Sequence, residues 1–324
     1  MSTKFIIGTA FIAFIVTVMA LPIYIQAMRQ RKVGQEQREE GPQSHKAKTG
    51  TPTMGAIIFV PAVFIATLIG TGISRGSVST MWLLLLTFLG YAFIGFWDDF
   101  VKVREKRNLG LTAKQKLMGQ LLIGVLFYVV YLINGYSESL NVPFTEITIQ
   151  LPYIYGLFII FWLVGFSNAT NLTDGLDGLL AGLATFSFAA FGIIAYVQHN
   201  LAVLYFCMAV IGGLIGFFLF NRNPAKVFMG DTGSLALGGA MAAVSILLKV
   251  EWLMLLIGFV YVAETLSVMM QVTYFKLTHG KRIFRMTPIH HHFELGGWSE
   301  NKTVVVFWCV GLLCSVAAVL MEVL

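Results

Sequence analysis

From Gly178 to Asn221 the chain runs without a single Asp, Glu, Lys or Arg. A helix needs about 20 apolar residues to cross the hydrocarbon of a bilayer. This run therefore holds two crossings, with Gln198-His199-Asn200 as the turn between them. The pattern recurs along the chain. Phe5–Met28, Met54–Ser74, Gly76–Trp97, Leu117–Ser137, Ile147–Thr173 (starting near Leu151), Thr232–Leu248 and Thr303–Met321 each fit one crossing. Trp252–Phe275 fits another, interrupted only by Glu264. The expectation is an all-α, polytopic integral membrane protein with ten helices, residues 1–324 forming one domain. Composition agrees, with 57% hydrophobic and 12% charged residues, where a soluble domain carries roughly a quarter charged. A cytosolic enzyme, a disordered chain and a disulfide scaffold are excluded. Cys207, Cys309 and Cys314 lie in apolar stretches without metal-ligand spacing and read as buried thiols.

The scarce charge is sorted by side. Arg29, Arg31, Lys32, Arg38, Lys46 and Lys48 follow the first crossing, and Lys102, Arg104, Lys106, Arg107, Lys114 and Lys116 follow the third. Arg222 and Lys226 follow the seventh, and Lys276, Lys281, Arg282, Arg285 and Lys302 the ninth. Only Lys4, Arg75 and Lys249 fall on the other side, where the loop carrying Glu138 and Glu146 has no cation. The positive-inside rule makes the rich side cytoplasmic and puts both termini outside. The net charge of +6 is then a topology signal and a counter-charge for phosphates, and nucleic acid is not an expected partner. No internal repeat is visible, which speaks against a transporter built from duplicated halves.

Polar residues gather in the same loops. Asp98 and Asp99 end the third crossing. Asn168, Asn171, Asp174 and Asp177 lie between the fifth and sixth. Asn221, Asn223 and Asp231 follow the seventh, and His290, His291 and His292 follow the ninth. Each has a plain structural reading. The aspartate pair could cap a helix at the interface, the histidines could be solvated, and the Arg104–Arg107 cations could serve topology and lipid headgroups alone. Four such coincidences on one face are much less probable than one site. Carboxylates with Asn carbonyls are hard oxygen donors that suit Mg²⁺. With Lys and His nearby they can stabilise a diphosphate during phosphoryl transfer. Gly230, Thr232 and Gly233 predict free N–H groups at the start of the eighth helix, a site for anions. Three successive histidines diverge, so they do not form a zinc site. Glu264, costly in lipid, should face the bundle interior. Pro22 and Pro61 read as kinks.

These residues carry a resemblance. The His45–Gly55 segment, the Asp98-Asp99 pair, Asn168–Gly178, Phe228–Ser234 and Pro288–Glu294 resemble the phospho-N-acetylmuramoyl-pentapeptide transferase family. That family belongs to the polyprenyl-phosphate N-acetylhexosamine-1-phosphate transferase superfamily. The resemblance covers essentially the whole chain, with Ala56 a small departure where a second glycine is common. It implies a reaction in which UDP-MurNAc-pentapeptide and undecaprenyl phosphate give lipid I and UMP in peptidoglycan synthesis. It also implies a Mg²⁺ requirement, a bacterial cytoplasmic membrane and a tendency to homodimers, for which no interface is legible. Asp98, Asp99, Asp231 and His290 match its catalytic positions, Asp231 being the one tied to Mg²⁺. Lys48, Thr53, Asn168, Asn171, Asp174, Asp177, Asn221 and Phe228 match positions around the nucleotide pocket, with Phe228 packing on uracil. His291 and His292 would contact the sugar or diphosphate. Lys102 and Lys114 flank the acids and are expected phosphate contacts.

Two mechanisms stay open: direct in-line attack by the lipid phosphate, or a covalent phospho-sugar on an aspartate. Competing classes are a superfamily member acting on another UDP-sugar, which Pro288–Glu294 argues against, a transporter, and a structural scaffold. Mid-membrane polar residues would favour the transporter, and the scaffold leaves the four clusters unexplained.

Overall fold

The computed structural model describes residues 3–31, 34, 48, 50–74, 76–105, 109–142, 145 and 147–324. The motif positions His45–Ala47 and Thr49, the cations Lys32, Arg38, Lys46, Arg75, Lys106 and Arg107, and Glu146 lie outside them.

Every predicted crossing is a helix. In order these are α1 (Thr3–Gln30), α2 (Ala56–Ser74), α3 (Val78–Glu105), α4 (Ala113–Ile133), α5 (Ile154–Thr173), α6 (Leu179–Val197), α7 (Leu201–Asn221) and α8 (Asp231–Leu247). They continue as α9 (Glu251–Ile257), α10 (Phe259–Leu277), the short α11 (Ile289–Glu294) and α12 (Glu300–Val323). A two-stranded hairpin, β1 (Ser139–Asn141) with antiparallel β2 (Thr148–Gln150), joins α4 to α5. Eight helices among the described residues are long and apolar enough to cross a membrane, and the chain is a multi-pass membrane protein.

One of the ten expected crossings is redrawn. The ninth is broken: α9 and α10 meet at Gly258 with a 79° bend. As one bent span they bring the number to nine. The eighth, α8, is a shorter apolar helix of 17 residues, which runs from the Asp231 end of the bundle to Lys249 at the hairpin end. Nearly every α8 side chain is buried, so α8 is the core around which α3, α5 and α6 pack. A helix apolar all round belongs in such a place. Glycine permits the approach: at Gly95 of α3 a Cβ would run into the Asp231 carbonyl at the α8 N-terminus. α4 starts four residues before its charge-free run, because its first turns carry Lys114 and Lys116 as helical residues. Thr112 and Gln115 form a capping box there.

The predicted turn at Gln198–Asn200 is present, with Asn200 capping α7 by accepting from Val203 N–H at 3.3 Å. Pro22 and Pro61 lie inside continuous helices. Of the cysteines only Cys207 is buried; Cys309 is exposed on α12, where the bilayer would cover it.

Candidate active site

The C-terminal end of α3, the N-terminal ends of α4 and α8, and the C-terminal end of α5 converge. Carboxylate oxygens of Asp98, Asp99 and Asp231 come within 4.8 Å of one another. Three anions in one spot require cations, and two lysines supply them. Lys102, one turn beyond Asp98 on α3, sits 2.6 Å from Asp98, 3.8 Å from Asp99 and 3.2 Å from Asp231. Lys116 of α4 sits 2.7 Å from Asp231 and donates to Asn171 Oδ1 at 3.4 Å. Asn171 Nδ2 donates to Asp231 Oδ1 at 2.9 Å and to Ser234 Oγ at 2.9 Å. Lys116, rather than the expected Lys114, is thus the second cation. Residues two apart on a helix point to nearly opposite sides, and Lys114 is exposed.

The start of α8 corrects another expectation. Its N–H groups do not stand open for a phosphate. Asp99 reaches across from α3 and accepts from Asp231 N–H (3.1 Å), Thr232 N–H (2.9 Å) and the Thr232 hydroxyl (2.8 Å). The anion at this helix N-terminus is the protein's own carboxylate. Gly230 precedes it at φ +78°, with space that a Cβ would lose to Asp99 Oδ2. Asp98 accepts from Leu111 N–H at 2.9 Å and so ties the loop before α4 to α3.

Lys48 bridges Asp177 (2.7 Å) and Glu300 (2.5 Å). Asp177 Oδ2 also accepts from Asn223 Nδ2 and Ala225 N–H, and Asn223 reaches Glu300. Asn221 is buried and accepts from Gly178 N–H while donating to the Val227 carbonyl, which holds the α5–α6 turn against the α7–α8 loop. That loop pairs with the chain before α2: Phe228 N–H donates to Pro52 O and Gly55 N–H donates to Phe228 O. Thr53 and Phe228 are thereby neighbours, half-buried. Asp174, the C-cap of α5, lies within the fields of Asp231, Asp99 and Asp177. Burial first, then those charges, pushes its carboxyl up to about 8.

A family model described as glycosyl transferase family 4 matches residues 81–249. Relatives cover nearly the full length. Phospho-N-acetylmuramoyl-pentapeptide-transferase of Listeria monocytogenes serotype 4b is 55% identical over 98% of both chains. That of Enterococcus hirae is 54% identical over 92% of both, and that of Bacillus cytotoxicus 53% identical over 96% of both. The chain belongs to the phospho-N-acetylmuramoyl-pentapeptide transferase family.

Within this transferase family member, the triple histidine divides its labour. His290 is fully buried on α11. Its Nδ1 lies 2.9 Å from Glu264 Oε1 of α10. Its Nε2 is buried without a hydrogen-bond partner and faces Gly175, beside Asp174, so closely that a Cβ on Gly175 would collide with it. A carboxylate partner at Nδ1 fixes the orientation of the ring, and in the neutral imidazole it favours the tautomer with its proton on Nδ1. His291 lies 2.8 Å from Glu294, and His292 Nδ1 accepts from Arg285 N–H. The His290 and His291 rings meet edge-on with centroids 4.1 Å apart, while their ring nitrogens take different partners. Asn168 turns aside from the acids: it exchanges hydrogen bonds with Gln120 across the α4–α5 contact.

Two site residues were missed in the sequence. Lys116 was legible by phasing α4 from the Thr112–Gln115 capping box. Glu300 gave only the weak signal of an acid opening a crossing. Glu264 is in the bundle interior as its charge in an apolar run implied, with His290 as the partner the sequence did not name.

Proposed function

We propose that this enzyme transfers phospho-MurNAc-pentapeptide from its UDP carrier to undecaprenyl phosphate at the cytoplasmic face of the bacterial membrane, giving lipid I and UMP. The observation that supports this most is the triad of carboxylates from α3 and α8 flanked by Lys102 and Lys116. An oxygen of the lipid phosphate attacks the β-phosphorus of the UDP-sugar. The bond from that phosphorus to the bridging oxygen breaks, and UMP leaves with the electron pair. Lys102 and Lys116 already neutralise the acids and can shift to phosphate oxygens as charge spreads over them. Asp98, the aspartate not engaged in holding the α8 N-terminus, orients the lipid phosphate or takes its proton. Thr53, Phe228, Asp174 and the Lys48–Asp177–Glu300 group form the neighbouring wall for nucleotide and sugar, with His290 Nε2 aimed into the Asp174 turn.

The donors here are carboxylate and amide oxygens only, a hard set that fits Mg²⁺. Asp231 and Asp98 would hold the ion, which would supply charge neutralisation for the diphosphate.

The test is UMP release by purified protein given Mg²⁺, undecaprenyl phosphate and UDP-MurNAc-pentapeptide. Release from UDP-GlcNAc and not from the muramoyl substrate would overturn the substrate assignment. Asp231→Asn should lower turnover by about 10²-fold or more; unchanged turnover would remove its metal role. Trapping labelled sugar-phosphate on the enzyme without lipid would replace direct attack by the two-step route.

A further inference from the structure

Tyr24 stands near the C-terminal end of α1, half-buried. Its hydroxyl donates to the Thr53 carbonyl at 2.8 Å. The next residue, Met54, is buried and has φ +62°. A residue with a Cβ disfavours this left-handed conformation, which persists only where the surroundings hold it. Three backbone bonds hold one side of the segment to the α7–α8 loop. Phe228 N–H donates to Pro52 O at 2.8 Å, Gly55 N–H to Phe228 O at 2.9 Å and Ala56 N–H to Met229 O at 3.3 Å. The Tyr24 hydroxyl holds the side facing α1. Beneath the segment lies Gly230. A Cβ built there would sit 2.5 Å from Asp99 Oδ2 and 3.2 Å from Met54 N. The Thr53–Met54 peptide therefore packs directly on the glycine that precedes Asp231.

We infer that Tyr24 is a positioning residue for the UDP-sugar, acting through the Thr53–Met54 peptide. The inference rests on the functional reading above and adds α1 to the helices that serve the site. A half-buried tyrosine needs a partner for its hydroxyl in any case. Two observations give this one a further part: the carbonyl it chooses precedes a strained residue, and that residue touches the floor of the site. In a trans peptide the N–H points opposite to the carbonyl. Pinning the Thr53 carbonyl on α1 thus fixes the whole peptide plane, and with it the aim of Thr53 and the seat of Phe228 beside it. Without the hydroxyl the Thr53 carbonyl loses its donor and the plane is free to turn. Lys102, Lys116 and the three carboxylates keep their contacts. Binding of the nucleotide-sugar should then loosen while that of the lipid phosphate does not.

The experiment has two arms. In the first, Tyr24→Phe removes the donor and keeps the ring. KM for UDP-MurNAc-pentapeptide should rise about fivefold, the worth of one hydrogen bond, and KM for undecaprenyl phosphate should hold. Replacing Tyr24 by 4-aminophenylalanine, whose amine donates from the same place, should bring KM back. Tyr196→Phe, at an exposed position on α6, should change neither. An unchanged KM in Tyr24→Phe would overturn the inference. Equal rises for both substrates, or no recovery with 4-aminophenylalanine, would make packing of the ring the cause and overturn it too. The second arm needs no turnover. Hydrogen exchange read by mass spectrometry should be about fivefold faster in Tyr24→Phe for the amides of residues 53–58, and unchanged for those of α12. Equal exchange at residues 53–58 would overturn the inference. Failure of the unaltered enzyme to release UMP from the muramoyl substrate would count against the functional reading alone, and the exchange arm would still decide whether Tyr24 holds the segment.

Discussion

Lys114 and Lys116 are chemically identical and two positions apart, yet only Lys116 reaches Asp231. The exposed Lys114 meets water or headgroups, where a single cation contributes little. Lys116→Met should lower kcat by about 10²-fold, while Lys114→Met should stay within a few-fold of the unaltered enzyme; comparable losses in both would refute the assignment. We propose that Glu264 acts through His290, whose Nδ1 lies 2.9 Å from its carboxylate, as a positioning residue. Glu264→Gln keeps an acceptor for the ring N–H but removes the charge that fixes the tautomer. Turnover should fall by about 10²-fold while KM for the UDP-sugar holds. A shift in KM alone would instead assign Glu264 a packing role. Residue identity was the most legible level of the sequence: acids stranded beside apolar runs marked Asp98, Asp99 and Asp231 from charge alone. What those acids do was less so. Asp99 closes the N-terminus of α8 from a helix far away in sequence, and no local pattern encodes a cap supplied across the bundle.

Among elements, the helices were readable because apolar length fixes them, whereas the α9–α10 break was not. One charge-free run reads as one straight crossing whether or not the helix bends within it, and the 79° break is visible only in the structure. The hairpin between α4 and α5 shows how the far end is fastened. Lys249 follows α8 and donates to the carbonyls of Ser137 and Ser139 and to the Tyr155 hydroxyl. Its amine lies 4.2 Å from the Tyr155 ring centre. Tyr155 in turn hydrogen-bonds the buried Glu251. Burial lowers the Lys249 ammonium from 10.5 to about 8. Below pH 8 the folded and unfolded chains are both protonated there, and folding bears the cost of burying the charge. Between pH 8 and about 10.4 the unfolded chain binds more protons, so this group's contribution to stability rises with pH. Thermal unfolding in detergent should therefore show the unaltered protein gaining on Lys249→Gln between pH 7.5 and 9.5, roughly the span of that titration. A constant gap would mean that the amine titrates normally.

At the scale of the molecule, the two ends of the bundle differ in kind. One end gathers Asp98, Asp231, Lys48, Asp177 and His290. The other holds the hairpin, Lys249 and both termini: Thr9 of α1 packs at Gly70 near the end of α2, and Glu322 accepts from Gln198 in the α6–α7 turn. The cation-rich loops lie at the first end, and by the positive-inside rule we propose that this end faces the cytoplasm. In a variant with Cys207, Cys309 and Cys314 replaced by Ser, a cysteine at Glu322→Cys should react with an impermeant maleimide on intact cells. One at Lys281→Cys, in the loop after α10, should react only after the membrane is opened. The reverse pattern would place the carboxylates and lysines outside, away from any cytosolic nucleotide, and the charge sorting that orients the bundle would then have to be read as lipid contact alone.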